Sequence, residues 1–132
     1  MPIVVGYIPS PAGHAALTTA IAEARLRGSR LVVVNASRGD ALVDRRHSSA
    51  EDWQSVRDQL GESGVEHEVL QQVEAKDPAD QILEVAQQTN AELIVVGLRR
   101  RTPVGKLIMG SQAQQILLDA DCPVLAVKAD PS

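Results

Sequence analysis

The chain of 132 residues has no phenylalanine, one tyrosine (Tyr7) and one tryptophan (Trp53), so aromatics make up only 2% of it. Its core must therefore be built from Val, Ile, Leu and Ala. The same scarcity argues against binding single-stranded nucleic acid, which stacks its bases on aromatic platforms. One cysteine, Cys122, leaves no internal disulfide and suits a reducing compartment. No apolar run approaches the roughly 20 residues of a membrane helix. The opening "MPIVVGYIPS" has no charged n-region, so it does not read as a secretory signal. A cytoplasmic protein with no membrane partner is expected. Excess positive charge is missing too. A formal net charge of −4 speaks against the broad basic surfaces of duplex binders.

What is present is ordinary for a globular protein: 44% hydrophobic and 23% charged residues, in a length that suits one domain, 1–132. Short apolar runs alternate with longer amphipathic ones. Strands are expected at 2–8, 30–36, 65–72, 91–97 and 122–129. Helices are expected at 12–27 with a stop at Gly28, at about 50–60 with stops at Gly61 and Gly64, from Asp77 and Pro78 onward, and at 111–120. The stretch 37–49 is polar and reads as a loop. Strand and helix alternate throughout, which predicts a doubly wound α/β fold: five parallel strands with helices on both faces, of flavodoxin or Rossmann type. Such sheets bind ligands beyond the carboxyl ends of their strands, where the strand order reverses.

One stretch stands out against the acidic background. Between Gly97 and Ser111 lie Arg99, Arg100, Arg101 and Lys106, with no Asp or Glu. The stretch begins where the fourth strand ends and closes on Gly110-Ser111 at a helix start. Backbone N–H groups there, with the serine hydroxyl, form a natural anion site. Two known phosphate cradles do not match. A Walker loop would need glycine at Arg100 and Ser or Thr at Leu107, and the first strand is followed by "GYIPSPAG" rather than G-x-G-x-x-G. On the residues alone, a phosphate site and a capped, solvated loop stay equally open.

The segments "IVVGYIPSPAGHAAL", "RLVVVN", "KDPADQIL", "ELIVVG", "VVGLRRRTPVGKLIMGSQAQQIL" and "DADCPVLAVK" together resemble the universal stress protein family in its single-domain form. Its nucleotide-binding branch carries Gly-x₂-Gly-x₉-Gly-Ser/Thr. Gly97, Gly110 and Ser111 match, and Arg100 stands at the second glycine. The resemblance implies that Gly97, Gly110, Ser111 and the backbone of Gln112 hold phosphates, with Arg99 and Arg100 beside them. It places Ile8, Pro9 and Ala36 on the nucleoside side, with Ile8 where the family usually has Asp. It further implies ATP or another adenine nucleotide as ligand, with Mg²⁺ as a possible companion. The partner it implies is a second copy of the chain, paired through the last strand.

His14, His47, His67 and Cys122 share no metal-ligand spacing. His14 alone lies near the expected cleft. Ser10 reads as turn chemistry, Asp40 and Asp44 as loop residues, Trp53 as packing and Cys122 as a small buried residue. No nucleophile–base constellation can be picked from the sequence. Three functions remain: a nucleotide-binding stress-response module with slow or absent hydrolysis, a nucleotide-independent member of the same family, and an enzyme gripping an anionic substrate with its arginines. The cationic stretch with its intact Gly110-Ser111 favours the first.

Overall fold

The computed structural model describes residues 1–36, 49–71, 77–100, 107–108 and 111–128, with the backbone alone at 49–51, 99–100, 107–108 and 111. The elements run β1 (Ile3–Tyr7), α1 (Pro11–Arg27), β2 (Leu31–Asn35), α2 (Ser49–Ser63), β3 (His67–Leu70), α3 (Pro78–Thr89), β4 (Leu93–Arg100), β5 (Leu107–Ile108), α4 (Ser111–Asp119) and β6 (Val124–Lys128). Five strands are parallel, in the order β3-β2-β1-β4-β6. This is the doubly wound α/β fold read from the alternation. The order reverses between β1 and β4, as in a Rossmann half, so the flavodoxin order is not the one adopted.

Strand parity divides the core in two. Ile3, Val5, Tyr7, Leu31, Val33, Leu93 and Val95 face α1 and α2, where they meet Leu17, Ile21, Trp53 and Leu60. Val4, Val32, Val34, Ile94 and Val96 face α3 and α4, meeting Ile82, Val85 and Ile116. Each central strand is apolar at consecutive positions because both of its faces are covered.

Helix boundaries follow local chemistry. Ser10 caps α1, accepting from the Gly13 amide at 3.0 Å, and Pro11 takes the first turn. Gly28 ends α1 at φ 65°, a left-handed conformation that costs glycine least. Asp77 caps α3 through the Ala79 amide. Two expectations need correction. Gly61 is no stop, since α2 runs through it to Ser63. The basic stretch after Gly97 is more ordered at its base than a loop, because β4 continues to Arg100 and pairs antiparallel with β5. A hairpin of two paired positions leaves no alternating pattern long enough to read.

Candidate functional site

The registers bring Tyr7 level with Asn35, and Gly97 level with Val127, at the carboxyl ends of the sheet. The first turn of α1 is seated on the β1/β4 switch point, and two glycines let it approach. A Cβ at Gly97 would stand 2.3 Å from the Ala12 carbonyl oxygen, and one at Gly13 would stand 1.8 Å from the Ile8 carbonyl oxygen. Both contacts are with backbone, which cannot swing aside. Gly97, read from the sequence as a phosphate contact, thus has a packing reason to be glycine.

Around this point lie several residues of the expected set. Ile8 is half-buried against the α3/α4 side of the core, Pro9 is exposed, and Ala36 is buried with its amide donating to the Tyr7 carbonyl at 2.8 Å. Arg99 and Arg100 pair through their backbones with Ile108 and Leu107. Ser111 begins α4, and the half-buried Gln112 follows it. Because β4 and β6 are parallel, the crossover helix α4 must start at the carboxyl end of the sheet. Its first-turn N–H groups, which have no partner within the helix, therefore share the edge where β1 and β4 end. Gly110, Arg101, Lys106, Asp40, Asp44 and His47 lie outside the described residues.

A groove of about 360 Å³ lies elsewhere, between α3 and α4, lined among others by Asp80, Glu84, Asp119, Asp121 and Cys122. Its carboxylates repel phosphate, so for an anion the chemistry favours the β1/β4 strand ends. Cys122 is only half-buried there, and burial pushes its thiol up, with Asp121 adding to the effect. No three His, Cys, Asp or Glu side chains among the described residues gather as a metal site.

The residues also assemble something that no spacing announces. The Tyr7 hydroxyl donates to Asp52 Oδ2 at 2.5 Å. His14 Nε2 lies 2.9 Å from Asp52 Oδ1 and 2.9 Å from the Tyr7 hydroxyl. A carboxylate only accepts, so the proton between His14 and Asp52 belongs to Nε2. This assigns the Nε2–H tautomer from the network. Tyr7 is held in place by edge contacts with both His14 and Trp53, at ring separations of 5.3 and 5.2 Å. Burial and then the Asp52 bond hold its phenol far above the usual range, so it stays a donor. His14 is the histidine singled out by position. Tyr7 and Asp52 were missed, because the cluster joins β1, α1 and α2 across 45 residues of sequence. Trp53 packs in the core, as read.

The fold is that of a Rossmann-type α/β domain whose strand order reverses between β1 and β4. The model of the universal stress protein family matches residues 1–128, and the chain belongs to that family. A universal stress protein of Mycolicibacterium smegmatis is 45% identical over 126 residues, covering 96% of each chain. The solved universal stress protein of Archaeoglobus fulgidus superposes with a TM-score of 0.78 at 35% identity, covering 97% of this chain and 98% of that one. A further A. fulgidus structure, of a universal stress protein in complex with dAMP, gives 0.72 at 30% identity over 97% and 98% of the two chains.

Proposed function

We propose that this chain binds an adenine nucleotide at the β1/β4 switch point and serves as a stress-response regulatory module rather than a fast catalyst. The observation that carries this reading is the likeness to the A. fulgidus protein solved with dAMP, supported by the strand-end edge at β1 and β4 here. The residues present suit the ligand. Ile8 and Ala36 offer an apolar floor for a base, and the start of α4 offers N–H groups for phosphate. Gly110, Ser111 and Gln112 would hold the phosphates, with the cations of the hairpin beside them. ATP is the proposed physiological form, and Mg²⁺ would neutralise part of its charge. The module works as a homodimer paired through β6.

The test is thermal. A ligand that binds only the native state stabilises it by about 2.7 kcal/mol at a hundred times its Kd. Mg-ATP, AMP and dAMP should each raise the melting temperature, and Gly110→Val should abolish the rise without lowering the unliganded value. A protein unmoved by millimolar nucleotide would overturn the reading in favour of a nucleotide-independent role.

A further inference from the structure

We infer that His14 is a nucleophilic imidazole, an acceptor for phosphoryl groups from small donors of the phosphoramidate class, with Asp52 and Tyr7 as its positioning residues. Three features of the cluster carry this. The first is the tautomer: with Nε2–H donating to Asp52, the neutral ring carries its lone pair on Nδ1. Next is access. The His14 side chain keeps 41% of its surface exposed, whereas Asp52 keeps 18%. The imidazole side chain is thus reachable from solvent, while the group that orients it is more shielded. The third is charge. When Nδ1 forms a bond to phosphorus, the imidazole ring becomes cationic, and the Asp52 carboxylate 2.9 Å away stabilises that charge as it develops. This is the arrangement of nucleophile and orienting partner expected of covalent acceptors. Tyr7 completes it by holding the second carboxylate oxygen, so Asp52 cannot rotate away.

The step balances without a further reagent. The Nδ1 lone pair attacks the phosphorus of zwitterionic phosphoramidate, whose nitrogen already carries three protons; the P–N bond breaks, and its electron pair leaves with neutral ammonia. The proton on Nε2 remains between His14 and Asp52. The product phosphate is carried on the first turn of α1, where the helix dipole favours an anion.

The chain holds its own reference. His67 is exposed, and its Nδ1 lies 2.8 Å from the Val65 carbonyl, with no carboxylate bonded to its ring among the described residues. The full chain is treated with phosphoramidate at neutral pH, and peptide mass mapping follows each histidine with time. His14 should be phosphorylated about tenfold faster than His67 or more, and Asp52→Asn should bring it down to the His67 rate. Tyr7→Phe should give an intermediate rate. Equal rates at His14 and His67 in the unmodified protein would overturn the proposal, whatever the variants do. So would an Asp52→Asn protein that keeps the His14 rate, because the cluster would then be a structural tie alone.

Discussion

Tyr7 carries an unusual burden for a single residue. It is the one tyrosine of the chain, fully buried, and it brings a hydroxyl into a core cluster otherwise built of aliphatic side chains and Trp53. An unpartnered hydroxyl there would cost about 1–3 kcal/mol, and Asp52 and His14 remove that cost. Tyr7→Phe leaves Asp52 with one donor fewer and is expected to destabilise by an amount in that range. The phenol also makes a pH prediction. Its native pKa is raised, so the native state keeps a proton that the unfolded chain gives up near pH 10. The stability it contributes is fully present below about pH 10 and falls as pH rises beyond it. Ultraviolet titration of the folded protein should therefore show no tyrosinate until the chain unfolds. A tyrosinate step near pH 10 in folded protein would refute the burial argument.

Between elements, the two informative glycines are those whose substitution should act in opposite directions. Gly97 is where α1 meets β4, and an added Cβ would collide with the Ala12 backbone. Gly97→Ala should cost about 1–3 kcal/mol as α1 is pushed off the sheet, which is a fall of several degrees in melting temperature. Gly61 lies inside α2, and a Cβ there meets nothing within 4 Å. Gly61→Ala should stabilise by about 0.5–1 kcal/mol, since alanine forfeits less backbone freedom in a helix. Urea melts of both variants check the pair, and the same sign for both would show that close approach is not what Gly97 serves.

For the whole molecule, the exposed end of the sheet matters most. Among the described residues β6 pairs with β4 alone, and all four of its apolar residues, Val124 to Val127, stay only half-buried. Val124 and Ala126 lean on the α3/α4 side of the core and Leu125 and Val127 on the α1/α2 side. Leu118 on the neighbouring α4 is 75% exposed. An apolar edge without bulge, proline or inward charge is a template for pairing, and two copies satisfy it about a two-fold axis. The proposed homodimer follows from this edge. Light scattering should give twice the chain mass of 14.1 kDa at micromolar concentration. Leu125→Pro, which removes a ladder donor, should yield monomer or unfolded chain. A wild-type mass of one chain would sink the dimer.

Much of this protein was legible in its residues because the information is local. Consecutive apolar positions in β1, β2 and β4 announce strands covered on both faces, and Ser10, Gly28 and Asp77 mark helix ends by bonds that span a few residues. The alternation of strands and helices then limits the fold to a doubly wound sheet, and the run from Gly97 to Ser111 points to the edge where β4 ends. What the sequence could not decide rests on contacts between distant segments. The reversal between β1 and β4, rather than the flavodoxin order, depends on which strands pair, and each strand is apolar enough to accept either neighbour. The reason for glycine at 97 appears only when the Ala12 carbonyl is found against it. The Tyr7–His14–Asp52 cluster needs β1, α1 and α2 packed together, because hydrogen bonds depend on distance in space and separation along the chain does not reveal it.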